Sequence, residues 1–205
     1  MEKVNSRELP FNQFAKIGLN KEAVLNLPKE DLKNLMAGHK TGVVPLKIDK
    51  DGIEINIEAK LSLKRNSDET ISLNVHPYRK EIDNKYNLDS SQLSQLKKGE
   101  IVETTMLAKN GEKRQHLIQL DKAINELIAV VKDKIKIPEK IADVKISNEQ
   151  KEQIASGKLV TLKGEKSDVK VQLNLNDAKG IRIDSPLGYE RNGKIDMSTK
   201  NDLKH

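Results

Sequence analysis

The chain has 205 residues, 36% hydrophobic and 33% charged, and its 37 basic and 31 acidic side chains leave a formal charge of +6 and a pI near 9.2. Such a composition suits thin cores on well-solvated elements, and because the two signs are interspersed it excludes a single-sign charge block of the nucleic-acid-tail type. With no cysteine or tryptophan, two phenylalanines and three tyrosines, it also excludes disulfides and thiolate zinc sites, and it supplies little for the aromatic platforms on which single-strand binders stack bases.

The opening MEKVNSRELP carries no apolar signal-peptide core, and AINELIAVV at 123–131 is too short and too polar to span a bilayer, so no membrane association and a cytoplasmic location are expected. Phe11, Phe14 and Ile17 recur at helical spacing up to Gly18, and Asn20 is placed to cap a second short helix carrying Ala23 and Val24. Leu27, Leu32 and Leu35 mark a third, with Pro28 in its first turn and Gly38 after its end. From Val44 the pattern alternates. Val44, Leu46 and Ile48 precede Asp51-Gly52, then Ile53 to Leu63 follow at every second residue, and Ile71, Leu73 and Val75 come after the turn at 66–68. Residues 43–78 therefore read as an antiparallel meander with one apolar face that needs helices to cover it.

A helix near 89–98 follows, then a hairpin with strands near 100–107 and 115–120 around Asn110-Gly111. Ile124, Leu127, Ile128, Val131 and Ile135 predict a longer core helix over 121–135 that stops before Pro138. A helix near 148–156 and strands near 158–163 and 169–175 come next, and the polar stretch from about Ser185 onward is expected to be mobile.

LDSSQLSQLKKGEIV at 88–102 lies over ISNEQKEQIASGKLV at 146–160 without a gap, matching Gln92 with Gln150, Gly99 with Gly157, Ile101 with Leu159 and Val102 with Val160. Each matched position has a folding role. Asp89 and Ser147 suit N-caps, the two glutamines complete capping boxes, and the glycines take the residue after the helix, where positive φ penalises a Cβ. The segment 27–38 has the same leucine-to-glycine spacing in weaker form.

The stretches LPFNQFAKIGLNKE, LMAGHKTGVVPL and LNVHPYRKEI, with ISNEQKEQIASGKLV and VQLNLNDAKGIRI, resemble two paired bacterial domain families of unknown function. Those families occur together in Bacteroidetes proteins carried on conjugative and other mobile genetic elements. The resemblance spans roughly residues 8–183, and it implies a genomic setting without a chemistry.

No catalytic pattern stands out. GYERNGKI at 188–195 has the spacing of a phosphate loop, but Ile195 stands where a magnesium-holding hydroxyl belongs. His39, His76, His116 and His205 have no partner at metal-ligand spacing. Helix, Gly18, helix across 11–26 is too short for major-groove reading. The one patch that invites a ligand is basic. Lys60, Lys64, His76, Tyr78 and Lys80 project from the polar face of the meander, with Arg65 and Arg79 beside them and Lys113 and Arg114 beyond the 110–111 turn. Cations with an aromatic can hold a nucleic-acid backbone through charge-assisted hydrogen bonds.

The expected architecture is α+β: repeated units of a short capped helix followed by an antiparallel hairpin or meander, plus one longer core helix. The expected divisions are 1–80, 81–137, 138–184 and a polar tail at 185–205. The expected function is a non-enzymatic binding module without a cofactor, contacting DNA as an accessory of mobile-element DNA handling. The alternative is an adaptor or inhibitor acting on a protein partner, and an enzyme with a site assembled from distant residues ranks last.

Overall fold

Capped helices too short to stand alone, and hairpins with one apolar face, must bury those faces against each other. They do so in two compact units, Met1–Lys85 with Asp121–Leu127 and Tyr86–Leu120 with Ile128–His205. The computed structural model describes residues 4–108, 111–141, 144–165, 167–176, 180–185, 188–191 and 194–195.

In the first unit a single 3-10 turn, Ser6–Glu8, is closed by an Asn5–Glu8 capping box. Three helices follow: α1 (Phe11–Ala15), α2 (Lys21–Leu25) and α3 (Lys29–Met36). Asn20 caps α2 as expected, its side chain accepting from the Ala23 N–H at 2.8 Å. The meander consists of β1 (Val44–Lys50), β2 (Ile53–Arg65) and β3 (Ile71–Pro77), antiparallel in that order. Asp51 and Gly52 both take positive φ, the requirement of a tight two-residue hairpin turn. Leu46 lies opposite Ile57, and Leu61 and Leu63 lie opposite Val75 and Leu73. Phe14, Val24 and Leu35 from the helices join Leu46, Ala59, Leu61 and Leu63 in one buried cluster, so the apolar face finds the cover that its alternation demanded.

Both sheet edges are blunted. The Gln13 side-chain amide donates to the Ile71 carbonyl at 2.9 Å and accepts from the Leu73 N–H at 2.8 Å, doing for β3 what a neighbouring strand would do. On the other side β1 carries Pro45, which has no N–H to donate, and a Cβ on Gly18 would come within 1.9 Å of the Lys47 carbonyl oxygen.

Next in the chain, α4 (Ser90–Lys98) leads into the sheet β4 (Val102–Leu107), β5 (Lys113–Asp121) and β6 (Glu126–Val131), in that order, of which residues 121–127 belong to the first unit. A 3-10 turn at Lys132–Lys134 and the two-residue strands β7 (Lys140–Ile141) and β8 (Val144–Lys145) precede α5 (Asn148–Ala155). A last sheet follows, built from β9 (Val160–Leu162), β10 (Val169–Leu173), β11 (Ile181–Ser185), β12 (Gly188–Arg191) and β13 (Lys194–Ile195) in sequential order. Asp89 with Gln92 and Ser147 with Gln150 form the expected capping boxes. Gly99 and Gly157 take φ of 94° and 84°. No helix among the described residues is long and apolar enough to cross a membrane.

One expectation fails. The longer core helix over 121–135 does not form: residues 122–125 are a turn and Glu126–Val131 is β6. Ile124, Leu127, Ile128 and Val131 fit a helical stripe, but a short apolar run fits a buried strand equally well, and Ile128, Val130 and Val131 are β-branched. Asn125 at φ 52° lies in the left-handed region, which ends any helix passing through it. Beyond Ser185, β12 pairs with β11 and β13 with β12. Such a ladder is held by main-chain bonds and needs no apolar alternation. Asn110, Asn192-Gly193 and residues 196–205 lie outside the described residues, so the expected turn, phosphate-loop spacing and mobile tail end there.

Candidate functional site

The densest chemistry lies on the polar face of β2 and β3. Antiparallel register sets Lys60 opposite His76, Ser62 opposite Asn74 and Lys64 opposite Ser72, and residues directly opposite share a face. The reverse face is the helix-covered core. The polar face is covered in its turn by residues 121–127, which hold it through main-chain and charged contacts. The Arg79 N–H donates to the Ile124 carbonyl at 3.1 Å, and the Asn125 amide donates to the Arg79 carbonyl at 2.7 Å. Asp121, 3% exposed, accepts from the Lys60 ammonium at 2.8 and 3.0 Å. It also accepts from the Ala123 N–H at 3.2 Å, which shapes the turn.

Glu126 is the second anchor. Lys40 pairs with it, and the His76 Nδ1 lies 3.2 Å from its carboxylate. Lys40 is brought there because its neighbour Thr41 is fastened to β2: the Thr41 N–H donates to the Leu61 carbonyl, and its hydroxyl accepts from the Leu61 N–H, both at 2.9 Å. On the far side of the imidazole, Nε2 is 2.9 Å from the Ser62 hydroxyl.

Serine, histidine and carboxylate thus stand in the order of a nucleophilic relay, yet the surroundings oppose proton transfer. Burial, the largest influence, and then the Lys40 cation hold the His76 pKa below its ordinary value, against Glu126 and Asp121. That environment disfavours the imidazolium which deprotonating Ser62 would create. Ser62 is 9% exposed in mid-strand, and Lys40 already answers the Glu126 charge. For Glu126 burial alone would raise the pKa, but the bond and charge of Lys40, followed by His76, outweigh it and leave the carboxyl below its usual value. The arrangement therefore works as a latch: neutral His76 accepts from Ser62 and donates to Glu126.

Both shifts make the first unit weaker in acid. The unfolded chain binds a proton at His76 that the folded chain resists, so stability falls as pH drops below about 6.5, the unperturbed histidine value. Glu126, held ionised in the fold, adds a further loss below about pH 4.3. Unfolding free energy of the first unit, followed by hydrogen exchange in β2 and β3, is expected to rise with pH between about 5 and 6.5. The His76→Gln chain is expected to lose that slope, and an unchanged slope would place His76 in solvent.

The basic residues expected to form a patch are largely committed elsewhere. Lys60 and His76 are in the latch. Arg65 pairs with Glu8 at 3.0 Å and Glu69 at 3.5 Å, Arg79 with Asp83 at 3.3 Å, and Arg114 with Glu112 at 2.7 Å. Lys64, Tyr78 and Lys80 are exposed on the first unit and Lys113 on the second. Sequence reasoning missed Lys40, Ser62, Asp121 and Glu126. Reading 121–135 as a helix hid the two acids, and pairings 50 to 86 residues apart in the chain leave no local signal.

Among the described residues no group of three or more histidine, aspartate or glutamate side chains is placed to hold a metal ion. A second surface feature is apolar. At the outer end of the β1–β2 hairpin Ile53 is 66% and Ile55 39% exposed, on the face that continues inward as Ile57, Ala59 and Leu61.

Residues 4–87 match the family described as protein of unknown function (DUF4099). The match takes in the three helices, the meander and four latch residues, Lys40, Lys60, Ser62 and His76, while Asp121 and Glu126 lie beyond it. Comparison with curated proteins and with solved structures finds no match.

Proposed function

We propose that the first unit is a non-enzymatic binding module that contacts a protein partner through the outer half of the β1–β2 hairpin. The exposure of Ile53 and Ile55 carries this reading. Two isoleucines on the core-facing side of a strand, beyond the reach of the helices, leave apolar area in water that a partner surface would cover. The opposite side of the same strand segment carries Glu54, Asn56 and Glu58, so the hairpin is amphipathic and offers one face for contact.

Contact with a nucleic-acid backbone has less support. Residues 4–85 and 121–127 contain 15 basic and 14 acidic side chains, and the cations nearest the meander are mostly paired. A role on Bacteroidetes mobile elements, implied by the sequence resemblance, fits an adaptor as well as a DNA accessory.

A photo-crosslinking residue at position 53 or 55 is expected to capture one defined protein in cells, and the same probe at 54 or 56 is not. The pattern should follow the strand's two-residue period, and capture from position 53 should vanish in the I55E chain. If instead labelled duplex DNA binds at micromolar protein with a steep salt dependence, and binding fails in the R79A/K80A chain but survives in I53K/I55E, the nucleic-acid reading replaces this one.

A further inference from the structure

The outer end of the β1–β2 hairpin exposes main chain as well as isoleucine. β1 pairs with β2 from Ile53 to Ala59 and β3 pairs with it from Ala59 to Arg65, so the two neighbours overlap only at Ala59. Main-chain groups of a strand point alternately to its two sides. Lys50 and Ile53 close the two-residue turn and face each other, whereas the Glu58 carbonyl accepts from the Tyr78 N–H at 2.7 Å on the β3 side. Odd-numbered residues of β2 therefore bond toward β1 and even-numbered ones toward β3. β3 ends at Pro77 and the chain then leaves the sheet, the Arg79 N–H donating to Ile124. Among the described residues no backbone hydrogen bond reaches Glu54 or Asn56 from the vacated side. Ile53, Glu54, Ile55, Asn56 and Glu58 are all exposed, so side chains do not close the gap.

An unpaired strand edge beside apolar side chains is a template for an extended peptide. The two-residue period then fixes what that peptide carries. Every second side chain would lie beside Ile53 and Ile55 and is apolar. The alternate ones would lie beside Glu54, Asn56 and Glu58, with Asp49 across from Glu54. These three carboxylates outnumber Lys47, which reaches Glu54 at 3.4 Å, and Lys60, next along that face, is already answered by Asp121. Cross-strand charge pairing makes the alternate positions basic.

We propose that the protein partner contributes an extended segment, apolar and basic in alternation, that adds antiparallel to β2 at Glu54 and Asn56 in the line β3 vacates. This rests on the hairpin contact proposed above and supplies it with main-chain bonds, two from each of those residues.

The capped pentapeptide Val-Lys-Val-Lys-Val is the probe. At about 1 mM it is expected to slow amide exchange at Glu54 and Asn56 by about tenfold or more, with Ile55 and Ile57, already bonded to β1, little changed. Methylating the two lysine amides of the peptide, which face β2, is expected to abolish the protection, and methylating the central valine amide, which faces away, is not. No protection at Glu54 and Asn56, or protection that survives methylation of the lysine amides, would overturn the proposal. In cells, Asn56→Pro removes an N–H from the open edge without breaking a bond to β1 and leaves both isoleucines in place. Slow exchange at Ile55 and Ile57 reports that its hairpin is intact. Capture from position 53 is expected to be lost in that chain and kept in Asn56→Ala. Capture kept in both overturns strand addition and leaves the side-chain contact standing, whereas no capture from any chain, the unaltered one included, fails the two together.

Discussion

Replacing Asp121 with alanine is expected to destabilise the first unit by about 3–5 kcal/mol, the cost of breaking a buried ion pair from one side. The Asp121 side chain is 4% exposed and that of Lys60 15%, so the lysine left behind is neither solvated nor paired. Reaching water then requires the ammonium to force residues 121–127 off the sheet. The Asp121→Asn chain, which retains an oxygen for the Ala123 N–H, is expected to fall between alanine and wild type. The double change Lys60→Met with Asp121→Leu should recover most of the loss, because no charge is then left buried. Hydrogen exchange in β2 and β3 reads the effect in the first unit, with β9 and β10 as internal reference. A loss under about 1 kcal/mol would place the pair among solvent-screened surface bridges.

Changing Gly18 to alanine is the second large effect, expected at about 2–5 kcal/mol. Two costs combine: a left-handed backbone at φ 81°, about 1–2 kcal/mol for a residue with a Cβ, and steric overlap, about 1–3 kcal/mol. The overlap is against main chain, since the new methyl carbon would stand 1.9 Å from the Lys47 carbonyl oxygen, and a strand within a sheet cannot yield as a flexible side chain would. Gly52→Ala supplies the control. Its φ is 80°, but nothing lies within 4 Å of the added carbon, so only the backbone cost remains. Equal losses for the two alanines in urea denaturation would mean that Gly18 does not brace β1.

The elements legible in the chain are those whose information is local. Asn20, Asp89 and Ser147 were readable as caps because the group each one bonds lies two or three residues away in sequence. Asp51-Gly52 was readable as a hairpin turn because both positions need φ above zero. Strict alternation from Val44 to Val75 named the strands, and their pairing followed since a one-residue slip would turn every isoleucine and leucine to the polar face. Residues 121–131 read as a helix because Ile124, Leu127, Ile128 and Val131 share a helical stripe, whereas a short apolar run rich in β-branched residues suits a buried strand as well, and Asn125 in the left-handed region ends any helix there.

The basic patch shows the complementary failure. Lys60 and His76 were correctly placed on the polar face, but their partners were not, because Asp121 and Glu126 reach them across 61 and 50 residues of chain. Alternation tells which way a side chain points and says nothing about what arrives to meet it.

By itself, then, the sequence determined the caps, the turns, the strand register and the matched helix–hairpin stretches, since each is settled by steric and hydrogen-bonding choices within a few residues. Only the tertiary structure decided that 121–127 folds over the polar face of the meander, that its carboxylates meet Lys60 and Lys40 there, and that Ile101 packs against Gly157. Those outcomes depend on which distant groups share a volume of low dielectric, and burial, not residue type, makes the difference between a cation free to bind a ligand and one that holds the fold together.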